Sequence, residues 1–173
     1  MDEFLPFASK AYWVTLALVC FARAMDFLST YVATPNLVLE GNPIAKWLGW
    51  KGGIALNIGL AFLFAFWPLP AIVITTTSLL VAARNLQSAW LMRSMGENNY
   101  RSWMIQRMCA ANIPTVVLCI LGQTLFFALI GAALMTDTRR ILSLGIGMGM
   151  LTYAFAILLY SLLSVFRLRR RTN

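Results

Sequence analysis

The chain has 173 residues, of which 60% are hydrophobic and only 12% are charged, and its mean hydropathy is +0.75. A soluble domain has about 25% charged and 45–50% apolar residues, so this composition excludes an ordinary soluble protein. About five spans of roughly 20 residues would use most of the chain. The sequence therefore predicts one integral membrane domain over residues 1–173. Its expected fold is an all-α polytopic helix bundle with short interfacial helices.

Hydrophobic runs predict transmembrane helices at about 11–33, 52–68, 70–93, 112–136 and 141–166. We expect the first run to stay as a helix, because no cleavable signal peptide is apparent before it. The second and third runs are separated only by Pro68-Leu69-Pro70, which predicts a tight hairpin.

Two shorter helices are predicted outside these spans. Asn42-Pro43 suits the N-cap and first turn of a helix, PIAKWLGW, that lies at the membrane interface or dips into it. Residues 97–110 predict an amphipathic helix in the membrane plane, because their apolar residues share one face. These apolar residues are Tyr100, Trp103, Met104 and Met108.

Basic residues outside the spans are divided unequally between the two membrane faces. The richer face holds Lys46, Lys51, Arg93, Arg101, Arg107, Arg167, Arg169, Arg170 and Arg171; the poorer face holds Lys10, Arg139 and Arg140. This bias predicts an external N-terminus and a cytoplasmic C-terminus. The positions of the tryptophans predict the same topology. The terminal RLRRR is interpreted as a stop-transfer signal and an anchor to anionic lipid at the cytoplasmic face, not as a nucleic-acid site.

Three charged residues lie inside the predicted spans: Arg23 and Asp26 in the first and Arg84 in the third. A charge at the bilayer centre costs about 2.5–3.5 kcal/mol on insertion scales, so such residues face the bundle interior and find partners. We therefore expect these three to converge, with one net positive charge. Glu40 could balance it if the loop after the first helix folds back, and an anionic ligand is the alternative. The other interpretation is that these residues form a purely structural ion-pair network.

Uncharged polar residues recur at helical spacing and predict a polar stripe on each of four helices. Thr30 lies beside Asp26, and Asn85 lies beside Arg84. The expected polar lining of the interior comprises Thr77, Ser88, Asn112, Gln123, Tyr153 and Tyr160. Thr115 and Cys119 continue the stripe of the fourth span.

Asp26-x-x-x-Thr30, followed by Glu40-Gly41-Asn42-Pro43, resembles a motif known from other proteins. It is similar to the Asp-x-x-x-Thr … Glu-x-Asn-Pro signature of a family of small bacterial and archaeal multi-span membrane proteins of unknown function. The resemblance covers roughly residues 20–60. It implies that one unit is formed by Asp26, Thr30, Glu40, Asn42 and Pro43, in which the Asn-Pro turn brings Glu40 toward Asp26. It also implies the plasma membrane of a prokaryote, which is the inner membrane in a Gram-negative cell.

Several chemistries are excluded by the residues present. The chain has no histidine, which excludes His-ligated haem, a His-based triad and the common zinc sites. Its three cysteines lack metal-ligand spacing, and we expect neither a metal nor a cofactor. Gly145 and Gly149 predict a packing face for a neighbouring helix or a partner subunit.

Three classes of function stay open. The first is a protein that binds or transports a small anionic or lipid-like ligand at the buried Arg/Asp/Glu site. The second is a non-catalytic accessory or assembly subunit of a larger membrane complex. The third and weakest is a membrane enzyme acting on a lipid-linked substrate, because no recognised catalytic spacing accompanies the acids. The expected partners are the lipid bilayer and either a second copy of the chain or a larger complex.

Overall fold

The computed structural model describes residues 4–169, with side chains described for residues 4–166. Its helices are α1 (Lys10–Ala33), α2 (Pro43–Phe64), α3 (Pro68–Met95), α4 (Glu97–Ala110), α5 (Ile113–Met135) and α6 (Ile141–Arg169). All of them except α4 are long and apolar enough to cross a membrane. The predicted all-α membrane bundle with five spans is therefore confirmed. The four C-terminal residues and the side chains of Arg167 and Arg169, in which the lipid anchor was predicted, lie outside the described part.

The second span differs from its predicted form at both ends. α2 bends at Gly49, where φ is 60° and ψ is −169°, a conformation that glycine adopts without steric cost. The predicted short helix therefore runs into the span through this bend. Asn42 caps it by accepting the Ile44 N–H at 3.0 Å. The predicted tight hairpin between α2 and α3 is present, but residues 65–67 form its turn. Pro68 and Pro70 lie in the first turn of α3 instead, where helical N–H groups have no partner anyway.

Three parallel helices form the middle of the protein. α1 packs along α3, and α3 packs along α6. α2 runs antiparallel to α1 and contacts both α1 and α3, whereas α5 runs antiparallel to α6 and, among the described helices, contacts α6 alone. The amphipathic α4 contacts α3 and α6. α5 therefore lies at one end of the row, with most of its surface uncovered.

Small residues allow the middle helices to approach closely. The buried residues of α1 and α3 include Ala22, Ser29 and Ala33 on one side and Ala71, Ser78, Ala82 and Ala89 on the other. Many of these residues are seven apart, which keeps them on one helix face. Small side chains at such a seam permit van der Waals packing and hydrogen bonds between transmembrane helices.

Glycines of α6 provide the contacts to both of its neighbours. A Cβ atom at Gly145 would lie 2.7 Å from Ile72 Cγ2, and one at Gly149 would lie 2.7 Å from Thr76 Cβ, both on α3. A Cβ atom at Gly147 would lie 2.5 Å from the carbonyl oxygen of Gly131 on α5. The glycine face therefore serves helices of the same chain.

α4 has the predicted two-sided character. Tyr100 is buried, and Trp103, Met104 and Met108 are partly buried. Its polar residues Arg101, Gln106 and Arg107 are exposed.

Candidate functional site

Arg23 occupies the centre of the candidate site and connects three helices. Its Nη1 donates to Asp26 Oδ2 at 2.7 Å and to Ser78 Oγ on α3 at 3.0 Å. Its Nε donates to Asn57 Oδ1 on α2 at 2.6 Å. The side chains of Arg23 and Asp26 are 28% and 17% exposed, so the ion pair is largely withdrawn from the surface. The expected pairing of these two residues is present, and it is also the only ion pair within the described parts of the spans.

Asn57 is held in the orientation that Arg23 requires. Its Nδ2 donates to the carbonyl oxygen of Gly53 at 2.8 Å, one turn earlier on α2. This bond leaves the amide oxygen free to accept from Arg23 Nε. Asn57 and Ser78 were not among the residues predicted for the site. Both are polar residues of neighbouring spans that lie at the same depth as Arg23. This match in depth is the sequence signal that would have placed them in the site.

A second polar layer lies further along α1 and α3. Asn85 Nδ2 donates to Thr30 Oγ1 at 3.2 Å and to Ser29 Oγ at 3.3 Å. The Ser29 hydroxyl donates to the carbonyl oxygen of Asp26 at 2.8 Å. Thr30 and Asn85, both predicted for the site, are therefore brought together, and Ser29 connects them to the Arg23 layer.

Glu40 lies near the ion pair, on the loop between α1 and α2. It is close enough to Asp26 for the two carboxylates to repel each other. Its Oε1 accepts the N–H of Asn42 at 2.7 Å, which fixes the carboxylate over the start of α2. Arg23, Asp26 and Glu40 together carry one net negative charge, in contrast to the positive charge expected when Arg84 was included.

Arg84 does not join this cluster, so its predicted convergence with Asp26 is wrong. Its Nη2 lies 3.5 Å from Ser161 Oγ on α6, and its buried Nη1 has no partner among the described residues. The reason is the position of α3 between two neighbours. Asn85 faces α1, and Arg84, one residue earlier, is turned by about 100° toward α6.

The loop after α1 is fixed to α4 and α2. The Glu97 carboxylate accepts the N–H groups of Asn36 at 2.9 Å and Val38 at 3.1 Å, the Thr34 hydroxyl at 3.1 Å and the Asn36 amide at 3.2 Å. Trp50 Nε1 donates to the carbonyl oxygen of Pro35 at 2.9 Å. The sequence did not indicate Glu97 as the residue that holds this loop.

These bonds determine the ionisation of Glu97. Partial burial acts to raise the pKa of Glu97, but the hydrogen bonds from Asn36, Val38 and Thr34 outweigh it and hold the pKa below its ordinary value of 4.5. The carboxylate therefore stays ionised and keeps the loop in place at neutral pH.

A cavity of about 260 Å³ opens beside Arg23, between α1, α2 and α3. Arg23 and Asn57 form its polar end, and its other walls are Val19, Leu60, Ala61, Phe64 and Ile74. Arg23 Nη2 donates to no group in the described part of the chain, although the other two guanidinium nitrogens are engaged. The arrangement can accept an apolar group with a hydrogen-bond acceptor at one end.

The predicted polar lining is only partly internal. The Thr77 hydroxyl lies 3.1 Å from the carbonyl oxygen of Gly149, and Tyr153 is buried with its ring centroid 5.0 Å from that of Phe127. Ser88 is partly buried and Tyr160 is exposed. Asn112 and Gln123 are also exposed, because α5 packs on α6 through another face. These last three residues do not line a common interior.

No protein-family model matches the chain, and comparisons with curated proteins and with solved structures found no match. The resemblance of residues 20–60 to the multi-span family therefore stays a prediction. Within residues 4–169, no three acidic or cysteine side chains lie close enough together to hold a metal ion.

Proposed function

We propose that this membrane protein binds an amphiphilic, lipid-like molecule in the cavity between α1, α2 and α3. The observation that carries the proposal is the combination of apolar walls with a single polar end, formed by Arg23 and Asn57. Arg23 Nη2 still has its N–H donors free for an acceptor oxygen of the ligand. Such a pocket, mostly apolar with a few convergent polar groups, is typical of small-molecule sites.

The charge of the site favours a neutral or zwitterionic head over a simple anion. Asp26 already neutralises Arg23, and Glu40 adds a second carboxylate nearby. An anionic group entering the cavity would be attracted by one cation and repelled by two carboxylates. A carbonyl or hydroxyl oxygen needs only the free N–H donors.

The depth of the site favours transport as the activity. Arg23 lies within about two residues of the middle of α1, so the head group would be held near the centre of the bilayer. Transporters commonly bind their substrates near the midplane. We place the protein in the plasma membrane of a prokaryote, the inner membrane of a Gram-negative cell, with the N-terminus outside and basic residues on anionic lipid at the cytoplasmic face.

The two other classes have less support. The accessory-subunit hypothesis drew on a glycine face of the last helix, and Gly145 and Gly149 pack on α3 instead. For an enzyme, Asp26 or Glu40 would act as base or nucleophile. Asp26 accepts from Arg23 and Glu40 accepts from the Asn42 N–H, so neither carboxylate is an unengaged base.

Filling the cavity tests the proposal without altering a polar group. Ala61 lines the cavity and is 3% exposed, so Ala61→Leu places a larger apolar side chain at its wall. Ala55 lies on the exposed surface of the same helix, and Ala55→Leu is the matched control. Native mass spectrometry of each protein, extracted in mild detergent, should detect a co-purifying amphiphile on wild type and on Ala55→Leu, with at least a fivefold lower occupancy on Ala61→Leu.

Two results would count against the proposal. One is equal occupancy on Ala61→Leu and Ala55→Leu, which would place the retained molecule elsewhere. The other is an empty wild-type protein that also fails to take up a long-chain alcohol or monoacylglycerol added in vesicles. Thermal unfolding of both variants separates loss of the ligand from loss of the fold.

A further inference from the structure

The outer face of α5 carries polar side chains that form no side-chain hydrogen bond within the described part of the chain. Asn112, Thr115, Cys119 and Gln123 follow one another at spacings of three and four residues, and all four are exposed. We call this set the α5 stripe. α5 packs on α6 through Phe127 and Gly131, and Thr124 on the same side of α5 is buried. At 3.6 residues per turn, the α5 stripe is turned away from that contact by roughly 110°.

Gln123 is the critical member of the α5 stripe because of its depth. It is close to the middle of the 23-residue helix Ile113–Met135. At 1.5 Å per residue, the two helix ends are about 15 Å and 18 Å away, too far for a glutamine side chain to reach water. Its amide forms no hydrogen bond within residues 4–166. Lipid tails offer it no donor and no acceptor, so an unpaired amide at this depth is strongly unfavourable.

We propose that the α5 stripe is the interface of a homodimer, in which Gln123 pairs with Gln123 of a second copy. A carboxamide both donates and accepts, so two glutamines can satisfy each other with reciprocal hydrogen bonds. A twofold axis along the membrane normal places every residue of α5 at the same depth as its counterpart. The two amides then meet without any adjustment of depth, and glutamine pairs of this kind hold transmembrane helices together.

The position of α5 leaves room for this partner. Among the described helices α5 contacts only α6, so a second copy can approach without displacing any element. Cys119 lies one turn from Gln123 on the same face, and it would come near Cys119 of the second copy. A different protein would need its own amide at the same depth, whereas the second copy supplies one by symmetry.

The native cysteines provide the test and its control. Cys20, Cys109 and Cys119 are all exposed, and Cys20 lies near the middle of α1, on the far side of the row from α5. Two single-cysteine proteins, one retaining Cys119 and one retaining Cys20, are reconstituted in phosphatidylcholine and phosphatidylglycerol vesicles and oxidised with copper phenanthroline. Cys119 should give a disulfide-linked dimer at several times the yield of Cys20.

A second set of variants tests whether the dimer depends on the amide of Gln123. In the Cys119 protein, Gln123→Leu should lower the yield of crosslinked dimer about tenfold under dilution in lipid, whereas Gln123→Asn should retain most of it. Gln87→Leu is the matched control, because Gln87 is exposed on α3 one turn from the exposed Trp90. It should leave the yield unchanged, and thermal unfolding verifies that each variant is folded.

Three results would overturn the proposal. Crosslinking of Cys119 no greater than that of Cys20 would mean that the α5 faces do not meet. A yield unaffected by Gln123→Leu would mean that they meet without the amide. In native membranes, a crosslink of Cys119 to a chain of different mass, with no homodimer, would assign the α5 stripe to another protein.

Discussion

Asp26 and Arg23 lie one turn apart on α1, with Oδ2 2.7 Å from Nη1, and Arg23 alone carries this pair to the neighbouring helices. Among the described residues, the Asp26 carboxylate bonds to neither α2 nor α3. It instead holds the guanidinium that reaches both. The pair therefore explains why two charges are tolerated inside a span. Each neutralises the other, and Arg23 also donates through Nε to Asn57 on α2 and through Nη1 to Ser78 on α3.

Removing the charge of Asp26 should destabilise the protein. Asp26→Asn leaves Arg23 without its counter-ion in a low-dielectric interior. Breaking a fully buried pair commonly costs about 3–5 kcal/mol. Because this pair retains some exposure, we expect the free energy of unfolding to fall by about 2–3 kcal/mol. Titration with a denaturing detergent would measure it.

Rescue of Asp26→Asn by a second substitution distinguishes Arg23, the observed partner of Asp26, from Arg84, which the sequence also suggested. Arg23→Gln in the same background should restore part of the lost stability, since a neutral amide pair needs no counter-ion. Arg84→Gln should not, because Arg84 faces Ser161 on α6. A double-mutant cycle would report the coupling. Greater rescue by Arg84→Gln than by Arg23→Gln would contradict the arrangement described above.

The attachment of α2 should depend on Asn57. This amide accepts from Arg23 Nε at 2.6 Å, and a hydrogen bond to a charged group contributes about 1.5–3 kcal/mol. Asn57→Leu should therefore accelerate hydrogen exchange in α2 while α3 and α6 keep their protection. Asn85→Leu is the control, since Asn85 bonds to α1 and its loss should loosen α1 against α3. Equal effects of both variants on α2 would argue against a specific role for Asn57.

The transmembrane helices could be predicted from the sequence because the length of each hydrophobic run is enough to identify a span. The spans and the amphipathic helix over 97–110 were located within a few residues wherever an apolar run ended in polar ones. The hairpin turn was misplaced because proline is as compatible with the start of a helix as with the turn before it. The pairing of Arg23 with Asp26 could be predicted from the sequence, because a spacing of three residues places both on one helix face.

Which helix faces which was not predictable from the same pattern. A polar stripe indicates that one face differs from the rest, but the interior and an interface between chains require the same periodicity. Gln123 and Thr77 were therefore treated alike, although only Thr77 meets another helix of the chain. Arg84 was predicted to meet Asp26 because the two residues lie at similar depth. It faces α6 instead, because adjacent residues of α3 point about 100° apart.

The contact between α5 and α6 should not tolerate a methyl group. A Cβ atom at Gly131 would lie 2.8 Å from the carbonyl oxygen of Gly147, so Gly131→Ala must force the helices apart. We expect a loss of about 1–3 kcal/mol in the free energy of unfolding, as for other overpacked sites. Gly59→Ala, on α2, meets nothing within 4 Å and should be neutral or slightly stabilising. Equal effects of the two changes would contradict this close approach.

The proposed orientation can be checked with reporter fusions at both ends. Alkaline phosphatase should be active at the N-terminus, and a fluorescent protein that folds only in the cytoplasm should be active at the C-terminus. The expectation follows from the excess of basic residues predicted on one membrane face, which includes Arg93, Arg101 and Arg107, and from the five candidate spans. Activity of the same reporter at both ends would require an even number of spans and would refute it.

The loop after α1 should respond to acid through Glu97. Because the hydrogen bonds from Asn36, Val38 and Thr34 lower the pKa of Glu97 in the folded state, the ionised carboxylate stabilises the loop. This stabilisation is complete above the ordinary value of 4.5 and is lost as the pH falls through the lower folded-state value. The amide resonances of Asn36 and Val38 should therefore shift together at acidic pH in an NMR titration. Glu97→Gln should abolish the transition, and Asp137→Asn, at the exposed pair with Arg140, should preserve it. A transition that persists in Glu97→Gln would show that another group holds the loop.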